Sequence, residues 1–153
     1  LTGSYVRDKD GVDGAYMICE MFSYYKTQGI SLLEKLEELY RTYGYSMNTL
    51  HSYEFEGSAG FAKMQSIMQA FRGDVKAFGG KKVVKLLDYA QGLDGLPKSD
   101  VLKFLLEGNC SIVVRPSGTE PKLKIYISVS AADKEAAEDI EAEIVKDAEK
   151  WFE

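Results

Sequence analysis

The run from Lys122 to Ser130 most restricts the fold, because Leu123, Ile125, Ile127 and Val129 alternate there with Lys122, Lys124, Tyr126 and Ser128. Strand side chains point to opposite faces in turn, so this alternation predicts a strand with one buried and one wet face. Shorter β-like runs precede it at Lys82 to Tyr89, Val101 to Leu106 and Ser111 to Arg115. Glu107-Gly108-Asn109 reads as a tight hairpin connection between the second and third runs, since Gly and Asn tolerate positive φ. A sheet with one apolar face needs a cover, and helical periodicity supplies two. Phe61, Met64, Ile67, Met68 and Phe71 form one stripe, with Ser58 or Gly60 near its start and Gly73 beyond its end. Ala137, Ile140, Ile144, Ala148 and Trp151 form the other, within Asp133 to Phe152, where Ser130 with Asp133 offers a cap. The fold class is therefore α+β, an antiparallel sheet covered by helices.

The first part of the chain is helical instead. Ala15, Ile18, Cys19, Phe22 and Tyr25 mark one face of a helix from about Val12 to Thr27. Gly29 closes it, and Ser31 with Glu34 forms a capping-box pattern for the next helix, whose stripe is Leu32, Leu33, Leu36, Leu39, Tyr40 and Tyr43. The result is a helical hairpin ending near Gly44. Met17, Met21 and Tyr24 lie off the main stripe of the first helix, so it is apolar around more of its girth than a two-helix hairpin covers. Either a partner from outside the hairpin or the rest of this chain would bury them. Ser46 to Glu56 is polar, aromatic and without helical period, and is read as an extended connector.

A net charge of -5 argues against nucleic-acid binding, which relies on clustered Lys and Arg. No apolar run reaches the length of a membrane span, and the start lacks a basic segment followed by an apolar signal region, so no membrane partner is expected and a cytoplasmic location fits. Cys19 and Cys110 form no CxxC pair and are read as buried free thiols. A single histidine, His51, makes a histidine metal site or a Ser-His-Asp triad a poor reading and a solvated or structurally bonded ring the better one. The chain begins Leu-Thr-Gly-Ser, which reads as an excised fragment or an unseen beginning.

Two stretches carry chemistry. The loop Arg115-Pro116-Ser117-Gly118-Thr119-Glu120-Pro121-Lys122 lies between two expected strands, with an arginine fork, two hydroxyls, a glycine and backbone N–H groups suited to an anion. Lys122 and Lys124 leave it on one strand face, about 6 to 7 Å apart. The competing reading is a Pro-Gly turn with incidental charges, which Glu120 partly neutralises. The other stretch, Val6-Arg7-Asp8-Lys9-Asp10-Gly11, looks like a solvated turn whose Asp10 caps the first helix; Lys9 matters chemically only where a substrate comes within reach.

Arg7-Asp8-Lys9-Asp10-Gly11 before a helix, followed near the end by Arg-Pro-Ser-Gly-Thr-Glu-Pro-Lys, resembles the α-D-phosphohexomutases of the phosphoglucomutase and phosphomannomutase group. The resemblance covers practically the whole chain. It implies a four-domain parent with a phosphorylated serine, an Asp-rich loop holding Mg²⁺, a sugar-recognition loop and a phosphate-binding loop, of which this chain holds only the last. It further implies residues 1–45 as the helical end of a third, α/β domain, 46–57 as connector and 58–153 as the fourth domain.

Under that resemblance Arg115, Ser117, Gly118 and Thr119 hold the phosphate that is not transferred, Lys124 adds a basic contact, and Lys9 sits near the reacting sugar hydroxyl. The implied parent reaction interconverts hexose 1-phosphate and hexose 6-phosphate through a hexose 1,6-bisphosphate, with Mg²⁺ ligands outside this chain. The hexose phosphate and the missing N-terminal domains are then the partners, and the chain alone is inactive. The rival is an α+β interaction module without a sugar-phosphate ligand.

Overall fold

The computed structural model describes residue 3, residues 9–118 and residues 120–152. Arg7, Asp8 and Thr119 thus lie outside the described residues. The chain divides into two compact units, Leu1–Tyr43 and Gly44–Glu153.

The first unit is the expected hairpin of α1 (Gly11–Thr27) and α2 (Leu32–Tyr43). Asp10 caps α1, its Oδ1 accepting from the N–H groups of Val12 and Asp13 at 3.0 Å each. The helix ends where Ile30 N–H donates to Tyr25 O and Gly29 N–H to Lys26 O, both at 3.0 Å, the paired bonds of a Schellman stop. The capping box of α2 forms as its spacing predicts: Glu34 N–H donates to Ser31 Oγ at 3.2 Å, and Ser31 N–H to Glu34 Oε2 at 2.7 Å.

The apolar stripe of α1 differs from the expectation. Ile18 and Phe22 remain 58% and 47% exposed, Cys19 is exposed rather than buried, and no described residue of either helix is buried. Met21 and Tyr25 instead line an apolar groove with Leu32, Leu36 and Leu39. A hairpin of 17 and 12 residues has a single shared seam, and a helix that is apolar on several sides buries only what meets that seam.

The second unit is a six-stranded antiparallel sheet in the order β1-β6-β5-β4-β3-β2, with α3 (Gly57–Phe71) and α4 (Lys134–Glu149) over one face. The strands are β1 (Tyr45–Glu54), β2 (Ala77–Phe78), β3 (Lys81–Asp88), β4 (Leu102–Leu106), β5 (Cys110–Pro116) and β6 (Lys122–Ala131). The four expected strands are β3 to β6, and Gly108 and Asn109 turn the β4–β5 hairpin at φ 74 and 57.

The stretch read as a connector is mostly β1. It pairs with β6 along its whole length, from Tyr45 opposite Ala131 to Glu54 opposite Lys122. Its inward positions include Thr49 and His51, so counting apolar residues conceals the alternation. Their polar atoms are satisfied by α4: Thr49 Oγ1 donates to Glu141 Oε1 at 2.8 Å, and His51 Nε2 lies 2.6 Å from the same oxygen. His51 is thus a structurally bonded ring.

The core lies between the sheet and its helices. Leu123, Ile125, Ile127 and Val129 of β6 are at most 1% exposed, as are Met64, Met68, Phe71 and Ile144 from the helices. Phe71, Phe78 and Phe104 form an aromatic cluster with ring centroids 5.2 to 6.2 Å apart, and Trp151 stands 5.7 Å from Phe71. Full burial of each such ring contributes about 1.5–3 kcal/mol. The opposite sheet face, carrying Arg115, Lys124, Tyr126 and Leu50, has no helix over it among the described residues of this unit.

Candidate functional site

The β5–β6 hairpin presents its loop at one end of the sheet. Ser117 N–H donates to Lys122 O at 2.7 Å and Lys122 N–H to Glu120 O at 2.7 Å, which close the loop. Phe55 N–H donates to Pro121 O at 2.8 Å, tying it to the end of β1. These bonds occupy the Ser117 and Lys122 amides and so remove them from the donors available to an anion. Gly118 has neither a positive φ nor any atom within 4 Å of where a Cβ would stand. Among the described residues nothing crowds that position, so the Gly118 backbone is open to approach from outside.

Arg115 faces Lys124 directly across β5 and β6, on the open face. Neither has a carboxylate partner among the described residues, whereas Lys122 pairs with Glu54 at 3.1 Å and Glu120 at 3.4 Å. Hydrogen bonding to Glu54 and the charge of Glu120 hold the Lys122 pKa above its ordinary value. The cations that remain for a ligand are thus Arg115 and Lys124, while Lys122 belongs to the framework.

Arg115, Pro116, Ser117 and Gly118 line a cavity of about 330 Å³. Its other walls come from Phe61 and Gln65 on α3 and from Ser99 and Asp100 before β4. Sequence reasoning names none of those four as site residues; Phe61 belongs to the apolar stripe expected of α3, and it is 52% exposed. A lone Asp or Ser in a polar segment carries no periodic signal; the register of β4 on β5, Leu102 opposite Val114, brings Ser99 and Asp100 to the loop end, and α3 adds Phe61 and Gln65. Lys124 neighbours Arg115 in the register and is not part of this lining. Lys9 lies just before α1, in the other unit.

A family profile, phosphoglucomutase/phosphomannomutase C-terminal domain, matches residues 57–147. The chain belongs to this family. It is 37% identical over 145 residues to a phosphoglucomutase of Staphylococcus aureus strain MRSA252, covering 87% of this chain and 26% of that protein. It is 36% identical over 135 residues to a phosphoglucomutase of Staphylococcus saprophyticus, covering 80% and 24%. The chain thus spans about a quarter of the length of these relatives. Among solved structures it resembles the open form of parafusin, an exocytosis-sensitive phosphoprotein and phosphoglucomutase from Paramecium, with a TM-score of 0.64 and 21% identity over 97% of this chain and 28% of that one. That likeness supports the fold, a curled antiparallel sheet with helices preceded by a helical hairpin.

The matched segment contains the cavity walls Phe61 to Gly118 and the cross-strand pair, so the site lies inside the family's C-terminal domain. Among the described residues no three His, Cys, Asp or Glu side chains converge as metal ligands, and no helix is long and apolar enough to cross a membrane.

Proposed function

We propose that this chain is the phosphate-gripping end of a hexose-phosphate mutase, and that Arg115, Ser117, Gly118, Thr119 and Lys124 bind the phosphate that stays on the sugar. The observation that carries this reading is the facing pair Arg115 and Lys124, two cations without carboxylate partners among the described residues, beside a glycine-containing loop. Arg115 offers two parallel N–H donors to phosphate oxygens, the Ser117 hydroxyl a further donor, and the bare Gly118 backbone lets the ligand approach.

The work of such a grip is positional. A hexose phosphate held by its distal phosphate presents its other end at a fixed place, which converts a bimolecular encounter into an oriented one. Phosphoryl transfer depends largely on positioning and charge stabilisation, so a domain that contributes no reacting group still contributes to rate. The whole protein would interconvert hexose 1-phosphate and hexose 6-phosphate through the 1,6-bisphosphate. Among the described residues no cluster fits the Mg²⁺ implied for that reaction. Lys9, next to α1, is proposed to act at the reacting end in the whole protein.

Inorganic phosphate titrated into the 153-residue chain and followed by amide chemical shifts tests the reading. Shifts confined to residues 116–120, abolished in Arg115→Ala, are expected. No response at tens of millimolar phosphate would favour the interaction-module reading. The same sample is expected to show no mutase activity.

A further inference from the structure

A cavity proposed for a phosphate has a carboxylate in its wall. Asp100 lines it together with Arg115 and Ser117, and its side chain is 40% exposed. A bare carboxylate within a few Å of a phosphate dianion opposes binding by direct Coulomb repulsion. Asp100 is not bare. Arg72, the residue that closes α3, donates from Nη2 to Asp100 Oδ1 and from Nε to Asp88 Oδ2, the latter at 3.0 Å.

The two carboxylates occupy the two stems of one segment. Asp88 is the last residue of β3, and Asp100 stands two positions before β4. Between the stems, Tyr89 N–H donates to Val101 O at 3.0 Å and Ser99 N–H to Tyr89 O at 3.1 Å, while Asp88 Oδ1 accepts from Ala90 N–H at 2.9 Å. The segment is thereby closed on itself, and the guanidinium fork joins both stems to the end of α3. The side chains of Arg72 and Asp88 are only 21% and 20% exposed, so this join is better sheltered from solvent than a surface ion pair. A second cavity, of about 530 Å³, is lined by Arg72 and Asp88 and shares Ser99 and Asp100 with the first. Of the two shared residues Arg72 holds Asp100, and the Tyr89 carbonyl holds Ser99.

We propose that Arg72 is a positioning residue for the phosphate site: it offsets the charge of Asp100 and pins the stem that carries Ser99 and Asp100 in the cavity wall. The inference rests on the phosphate reading above. Burial works against the charge of Arg72, and hydrogen bonds to Asp100 and then Asp88 outweigh it, so its pKa lies above the ordinary guanidinium value and it stays charged wherever the protein is folded.

Phosphate titration of the whole chain and four variants tests this. Arg72→Gln exposes the Asp100 charge and is expected to weaken phosphate binding ~5-fold, the order of one added like charge at close range. Arg72→Lys, which keeps the charge and loses the fork, is expected to fall between the two. Arg72→Gln with Asp100→Asn is expected to recover most of the lost affinity, which a purely structural role would not allow. Asp100→Asn alone leaves Arg72 on Asp88 and is expected to retain or tighten binding.

Wild-type binding that Arg72→Gln leaves unchanged would overturn the inference and leave the phosphate reading standing. A double variant as weak as Arg72→Gln overturns it as well. Loss of affinity in Asp100→Asn overturns it even if the Arg72 variants do not fold. A wild-type chain that does not respond to phosphate takes both readings down.

Discussion

Arg115 on β5 stands directly opposite Lys124 on β6, two like charges in facing register with no carboxylate between them among the described residues. Like charges placed directly across an antiparallel pair destabilise it. Proteins break such local rules chiefly at functional sites, where a ligand relieves the conflict.

Lys124→Gln should therefore separate stability from binding. Removing the repulsion is expected to stabilise the sheet by about 0.2–1 kcal/mol, read by urea unfolding, while phosphate affinity falls. A variant that lost stability and kept its affinity would contradict the assignment of Lys124.

Gly118 and Gly79 should respond oppositely to alanine. At Gly118 a Cβ meets nothing, so Gly118→Ala is expected to change stability by less than about 0.5 kcal/mol and to weaken phosphate binding. Gly79 has φ +53, and a Cβ there would lie 2.8 Å from the Ile144 backbone nitrogen. Gly79→Ala is expected to cost at least about 1–3 kcal/mol, read as a fall in the unfolding midpoint.

Asp147 should shape the acid limb of stability. It accepts from Lys150 Nζ at 2.6 Å and from Gly79 N–H at 2.7 Å. The Lys150 bond, opposed by burial and aided by the Gly79 amide, holds its pKa below the ordinary carboxylate value. A depressed carboxylate stabilises the fold above its unfolded pKa, and that contribution disappears as pH falls through the folded value. Unfolding free energy is expected to decline below about pH 4 and to decline less steeply in Asp147→Asn; equal slopes would rule this carboxylate out as a source.

Amide exchange should divide the chain. The hairpin has no buried described residue and leaves Val12 83% and Leu33 74% exposed, whereas β4 to β6 carry the core. Amides of residues 12–43 are expected to exchange far faster than those of β5 and β6. Full protection of the hairpin in a monomer would contradict that expectation.

Much of the fold was legible because its signals are local. Alternation over Lys122 to Ser130, the Gly108-Asn109 turn and the capping pair Ser31 and Glu34 each involve neighbours a few residues apart, and each appears as its spacing predicts. β1 was not legible as a strand, because Thr49 and His51 point inward and interrupt the apolar count. Only Glu141, ninety residues away from His51, makes those inward polar groups tolerable.

The candidate site divides the same way. The loop from Arg115 to Lys122 announces itself, since arginine, hydroxyls and glycine within a few positions already describe an anion's surroundings. The sequence by itself determined that loop, the strands that flank it and the helices that must cover them, because these rest on periodicity and on short-range turn chemistry. Tertiary structure alone decided that Lys122 is taken up by Glu54 and Glu120, that Lys124 faces Arg115, and that Asp100 reaches the cavity with its charge held by Arg72. Strand register and helix placement create those pairs, and both are set by packing among residues far apart in the chain.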